Sequence, residues 1–185
     1  GLHRTNSEIS KMNSLKEFIS GASLNYRNDY LKIGVQGVYQ TYDKPLNLTI
    51  RPYNQYYFNG QSLFSLSSDY NFVYKNINVF GEVSYSLNET NSGMAMLHGA
   101  LLSLDTRLSL GLLSRDYDKS YQTIYNAGFS EGSRTQNENG LYAGLKFKIN
   151  RSWSINAYTD VFEFPWMKYG VDAPSKGHEF LIQPI

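Results

Sequence analysis

The sequence predicts an all-β fold: an antiparallel up-and-down transmembrane β-barrel, with about eight strands in this segment and room for more in a larger barrel. Three observations carry that reading. Apolar residues recur at every second position, aromatic residues are abundant (16 Tyr and 10 Phe beside 2 Trp), and only 18% of residues are charged. The connections between the alternating segments are tight and long in turn. Tyrosine and tryptophan suit the two membrane interfaces, where one end of the ring is apolar and the other wet. A mean hydropathy of -0.44 is compatible with a membrane barrel, because every second strand residue faces the lumen.

The elements follow in order. Segment 17–26 carries Phe18, Ala22, Leu24 and Tyr26 on one face, and 30–41 carries Leu31, Ile33, Val35 and Tyr39. Residues Arg27-Asn28-Asp29 turn between them. In 62–74, Phe64, Leu66, Tyr70, Phe72 and Tyr74 alternate with Ser65, Ser67, Asp69 and Asn71. In 77–87, Ile77, Val79, Val83, Tyr85 and Leu87 alternate with Asn78, Glu82, Ser84 and Ser86. Only Lys75-Asn76 separates the two, so they form a hairpin. Strands 93–104 and 107–115 follow, and the first of these is apolar on both faces. The last pair is 140–149 (Leu141, Ala143, Leu145, Phe147 and Ile149 against Lys146 and Lys148) and 152–162 (Trp153, Ile155, Ala157 and Val161 against Asn156, Tyr158 and Asp160).

Tight turns fall at 27–29, 75–76, 105–106 and 150–151. Longer segments fall at 43–61, 88–92 and 116–139, and at the ends 1–15 and 164–185. Short periplasmic turns and long extracellular loops distinguish outer-membrane barrels, which places 1–15, 43–61, 116–139 and 164–185 outside the cell. A soluble β-sandwich with one polar face is the rival architecture. Residues 1–185 read as one barrel segment of a longer chain, opening at Gly1 after an upstream part and ending at Ile185 outside any strand.

Composition narrows the function. The formal net charge is +1, from 17 basic and 16 acidic residues spread along the chain, which offers no footprint for a polyanion. The sequence has no cysteine, so disulfides, thiolate metal sites and cysteine nucleophiles are excluded. His3, His98 and His178 lack ligand spacing, no glycine-rich phosphate loop is present, and no cofactor or metal is implied.

Candidate site residues come from the pairing. A two-residue hairpin at 75–76 sets Asp69 directly opposite Glu82 on the polar face. Two carboxylates so placed need a cation or share a proton. Lys32, Arg107, Lys146 and Lys148 are the lumenal candidates for that cation, so a mixed-sign network of Asp69, Glu82, Arg107, Lys146 and Asp160 is expected in the interior. A general acid–base pair for sugar chemistry is the alternative reading of the carboxylates. His98 opposite Ser114 on the lipid face suggests a second alternative, an outer-membrane lipid hydrolase, without an evident oxyanion donor or orienting third residue. Tyr53, Tyr56, Tyr57 and Phe58 form either an extracellular contact surface or the packing of a loop over the barrel mouth.

Several phrases carry a resemblance. Gly1-Leu2-His3-Arg4-Thr5 with Ser7-Glu8, Tyr42-Asp43-Lys44-Pro45-Leu46, Phe129-Ser130-Glu131-Gly132-Ser133, and Val171-Asp172-Ala173-Pro174-Ser175 before Gly177-His178-Glu179-Phe180-Leu181 span nearly the whole chain. They resemble the C-terminal barrel region of Bacteroidota proteins with ComEA-like helix-hairpin-helix repeats upstream. All four fall in the segments placed outside the cell. The resemblance implies a role in DNA handling or uptake at the envelope through the upstream module. No helix-hairpin-helix glycine hairpin is present here, so no residue of this segment is expected to bind nucleic acid. The expectation is therefore a non-enzymatic anchor or conduit in the outer membrane of a Gram-negative bacterium. Its partners would be outer-membrane lipid and an extracellular or envelope protein.

Overall fold

The chain forms one nine-stranded antiparallel sheet in simple up-and-down order. The computed structural model describes residues 4–10, 14–125 and 127–185. The strands are β1 (Glu17–Arg27), β2 (Leu31–Leu46), β3 (Gly60–Tyr74), β4 (Ile77–Asn88), β5 (Ser92–Asp105), β6 (Leu108–Tyr117), β7 (Glu138–Lys148), β8 (Ser154–Phe164) and β9 (Ser175–Pro184). A short helix, α1 (Asn6–Ser10), precedes them. Its turn is capped by Thr5, whose Oγ1 accepts from Glu8 N at 3.2 Å while the Glu8 carboxylate accepts from Arg4 N at 2.7 Å.

The four tight turns close for local reasons. Asn28 Oδ1 accepts from the backbone N–H of Tyr30 and Leu31, and Asn150 Oδ1 accepts from those of Ser152 and Trp153. Asp105 does the same for Arg107. These short side chains mimic a backbone turn, which is why Asn and Asp mark such positions. Lys75 adopts φ 52° in the remaining turn, and Asn76 Nδ2 ties it to the Ser103 carbonyl at 2.9 Å.

Register assigns every strand residue to a face. Asp69 pairs with Glu82, as the two-residue turn requires, and His98 with Ser114, as a lipid-facing placement of the leucines of both strands requires. A bulge beside the turn sets Asp105, not Leu104, opposite Leu108. The ambiguity of 93–104 resolves: Met94, Met96, His98, Ala100 and Leu102 share the face of Val79, Val83 and Tyr85, while Leu97 and Leu101 lie on the face of Glu82 and Asn78. One face is thus predominantly apolar from β1 to β9, and it is bare. Leu24 is 78% exposed, Leu141 65% and Phe180 75%.

The other face is polar and better covered. Among the described residues, seven hydrophobic side chains are buried against nine polar or charged ones, so the inside is wetter in character than the outside. A water-soluble protein has the reverse preference.

Several expectations are corrected by this sheet. Residues 175–184 form a strand, not part of an outer segment, so the chain does not end clear of the sheet. Lys176 and His178 share the apolar face of β9 with Phe180 and Ile182, and Leu181 lies on the polar face, which breaks the alternation that marks the other strands. The phrase Tyr42–Leu46 lies in β2, because that strand outruns the predicted 30–41. Ser175 and Gly177–Leu181 lie in β9 while 171–174 do not, so one of the four resembling phrases is strand and a second is partly strand. Gly1–His3 of the first phrase lies outside the described residues.

Candidate functional site

The chemistry gathers at the end of the sheet opposite the tight turns. The connection between β6 and β7, residues 118–137, folds back over the polar face and crosses it from β6 to β1. Tyr121 Oη donates to Ser84 Oγ at 2.9 Å, and Gln122 N donates to Ser86 Oγ at 2.8 Å, both on β4. Ile124 packs on the cluster of Tyr42, Phe58 and Leu63 from β2, the next loop and β3. Tyr125 Oη then donates to Glu17 Oε2 on β1 at 2.6 Å. That bond holds the Tyr125 hydroxyl above its ordinary pKa, because ionising it would set a phenolate against a carboxylate; partial desolvation adds to the effect.

Passage this close requires the absence of a side chain at Gly93. A Cβ there would stand 2.3 Å from Tyr121 N and 2.6 Å from Ser120 C, inside any tolerable contact. Asp118 fixes the start of the crossing: its Oδ2 accepts from Met94 N at 2.9 Å and its carbonyl from Tyr121 N and Asn137 N.

The return leg is anchored by a buried charge cluster. Arg115 Nε donates to Glu138 Oε1 at 2.6 Å, and its Nη1 reaches both oxygens of Asp160 at 3.0 Å. All three side chains are at most 3% exposed. Glu138 also accepts from the backbone N–H of Glu131 and Gly132. One carboxylate therefore holds both the strand guanidinium and the loop. Gly140, opposite Arg115 on β7, leaves the space that the guanidinium fills, since a Cβ there would lie 2.4 Å from Arg115 Cζ. Arg115 faces the rings of Phe129 and Phe162 at 5.3 and 6.0 Å, which shields it further.

This arrangement redistributes the expected interior network. Asp160 belongs to the cluster with Arg115 and Glu138, two residues that the sequence reading does not single out. Asp69 and Glu82 face the lumen side by side, separated from Arg115 along the same cross-strand row by Leu97. Lys32, Lys146 and Lys148 point to the same face by register, but among the described residues none makes an ion pair. Arg107 is a correction. It sits in the turn at the far end, 64% exposed, 3.7 Å from Asp105, too distant along the strands to meet the carboxylates it was expected to neutralise. His98 is engaged elsewhere: its Nδ1 lies 3.0 Å from Tyr70 Oη, with the two rings stacked at 5.9 Å on the apolar face.

The loop aromatics knit three loops into a cap. Tyr53 meets Tyr57 and Tyr169 edge-on at 6.4 and 5.4 Å, and Tyr56 meets Trp166 at 5.4 Å. Trp166 Nε1 donates to the Pro52 carbonyl at 3.0 Å, and Trp166 and Asn137 exchange two hydrogen bonds of 2.7 and 3.0 Å. Gln136 Nε2 and Gln122 Nε2 both donate to the Tyr56 carbonyl. Phe58 differs from its three neighbours: it is buried beneath them against Tyr42. Glu89, in the short β4–β5 connection, accepts from Ser62 Oγ, Ser62 N and Gln61 N. Partial burial pushes its carboxyl up, and these donors more than offset that, leaving it below the usual glutamate range.

No family model matches the chain, and no curated protein does. Among solved structures the chain is similar to OmpT, an outer membrane protein of Vibrio cholerae, folded in vitro and described in trimer form. The TM-score is 0.48 at 10% identity, over 91% of this chain and 55% of that one. The chain thus spans about half the length of that protein, and no residue role is carried over from it.

Proposed function

We propose that this chain is the wall of an outer-membrane β-barrel, a conduit whose mouth is narrowed by its own inward-folded loop. The observation that carries the reading is the bare apolar face running across nine strands, backed by a polar face. In water such a face would be an aggregation surface; in lipid it is the solvated one. Aromatic residues border it at both ends. Tyr26, Phe72, Tyr74, Phe147 and Trp153 stand near the tight turns, and Phe18, Tyr39, Phe64 and Tyr85 near the loops. Phe64 and Tyr74 are ten residues apart on β3, about 33 Å along a strand and roughly 25 Å in height at a tilt of about 40°. That is the height of a barrel's apolar band.

Closure would need more strands. β1 and β9 run in the same direction and are not paired with each other among the described residues. Joining them would make a parallel seam, whereas an odd number of further strands closes the barrel antiparallel throughout. An open strand edge in hydrocarbon leaves N–H and C=O groups without partners, so closure is obligatory in a membrane.

On the resemblance to ComEA-like barrel proteins, the conduit would serve DNA handling at the envelope through a module outside these residues, with the loop cap as the place of contact for an envelope or extracellular partner. Nucleic acid would not be bound by this segment.

The facing is tested by placing a charge on each side of β6. Leu112→Arg, at mid-strand on the apolar face, is expected to cost about 2–4 kcal/mol in folding into phospholipid vesicles. Ser109→Arg, on the polar face, is expected to fold as the wild type does. Equal tolerance of both substitutions would refute the membrane reading.

A further inference from the structure

The cap contains a cleft whose charge is one-sided. It lies between the loops after β2, β6 and β8, encloses about 60 Å³, and is lined by Tyr53, Tyr56, Tyr57 and Trp166 together with Lys119, Arg134 and Lys168. Among the described residues no carboxylate lines it. Each cation rests on a ring instead. Lys119 Nζ stands 4.7 Å from the centre of Tyr56 and 4.6 Å from that of Trp166, Arg134 Cζ 4.3 Å from Tyr57, and Lys168 Nζ 3.4 Å from Phe164.

Among the described residues none of these three cations makes an ion pair, although cations nearby find them readily: Lys176 takes Glu163 at 2.9 Å, and Arg115 takes Glu138 and Asp160. A ring face satisfies a cation only in part. Arg134 is exposed and the two lysines are half-buried, so water meets their remaining N–H groups, and three like charges around one space make it attractive to an anion that can replace that water. The rings hold the cationic side chains in place, and the crossed hydrogen bonds of Asn137, Gln136 and Trp166 hold the rings. The donors are thus ordered before any ligand arrives, which reduces the entropy lost on binding.

We infer that this cleft binds an oxyanion, a carboxylate, sulfate or phosphate group carried by a ligand that approaches the loop end of the barrel. The cleft is small and opens to solvent, so the oxyanion sits among the cations and the remainder of the ligand lies toward Tyr53, Tyr57 and Tyr169. Two sources share this chemistry, an acidic sugar and a phosphate. The cleft is built by the cap alone and does not depend on what surrounds the strands.

The test is calorimetric titration of the full-length protein, purified in detergent, with galacturonate, inorganic phosphate and neutral galactose, beside the variant Lys119→Gln/Arg134→Gln. Saturable binding of galacturonate or phosphate, weakened about tenfold or more in the double variant and absent with galactose, is the expected result. Galacturonate alone would identify a sugar acid as the source, and phosphate alone a phosphate. Binding of galactose as tight as galacturonate, unchanged affinity in the double variant, or no binding of either anion would overturn the inference. An electrophoretic shift on boiling, if the double variant keeps it, shows that the barrel itself is intact and that lost binding reports on the cleft.

Discussion

Replacing Arg115 with Met is expected to destabilise the folded chain by about 3–5 kcal/mol, because it leaves two buried carboxylates without their counter-ion. Arg115 is the shared partner of Glu138 and Asp160, and neither carboxylate has another cation within 4 Å among the described residues. Methionine fills much of the same volume between Phe129 and Phe162, so the loss isolates charge from packing. Arg115→Lys keeps the charge but cannot reach both carboxylates from two nitrogens of a fixed fork, as Nε and Nη1 do, and should fall between wild type and Arg115→Met. The triple variant Arg115→Met/Glu138→Gln/Asp160→Asn should recover much of the loss, since it leaves no buried ion. Denaturant midpoints of protein folded into vesicles measure all three. A midpoint for Arg115→Met equal to that of the wild type would show that the cluster is not a structural anchor.

Substitution of Gly93 by Ala should expel the crossing loop. The new Cβ would fall 2.3 Å from the Tyr121 backbone, and backbone on both sides leaves no flexible side chain to yield. The strand is held by ladders to β4 and β6, whereas the loop residues nearest Gly93 are tied to the sheet by single side-chain contacts, chiefly the bonds to Ser84 and Ser86, the Asp118–Met94 bond and the packing of Tyr121 on Ala95 and Tyr117. The loop should therefore move. Cleavage by trypsin after Lys119 and Arg134 should accelerate about tenfold, the equivalent of roughly 1.4 kcal/mol in the opening equilibrium. If the barrel conducts, single-channel conductance should rise in the same variant. Unchanged cleavage would mean that the loop is not seated on the polar face in solution.

The sheet was legible because its information is local. Period-two alternation and Asx turns are read within a dozen residues, and a tight turn then fixes the register of the whole hairpin, which is why Asp69 opposite Glu82 followed from arithmetic, while His98 opposite Ser114 followed from setting the leucines of both strands on one face. Strand β5 resisted because Leu97, on the polar face, is covered by Tyr117 of β6 and Tyr121 of the crossing loop, and so behaves as a core residue on the wrong side. β9 resisted because Lys176 on its apolar face is satisfied by Glu163 of β8, a contact invisible without the pairing.

The charge cluster was illegible for a different reason. Its members are 23 and 45 residues apart, and Arg115 pairs across a connection whose length conceals the β6–β7 register. A signal was nonetheless present: Arg115 falls at the inward parity of β6, whose other inward residues, Ser109, Gly111 and Leu113, carry no charge, so its partner has to come from a neighbouring strand or loop. The loop cap could not be read at all from spacing. It depends on three loops meeting, and only the density of tyrosine in 53–57 hinted at a packed surface.

The most direct test of the central claim is the electrophoretic mobility of the full-length protein, recovered from separated inner and outer membranes and run with and without boiling. Recovery in the outer membrane with a boiling-dependent shift is the result expected of a closed, lipid-facing barrel of which these nine strands form part of the wall. Recovery as a soluble protein with no shift would contradict the account, and the bare apolar face would then have to be covered by something other than lipid.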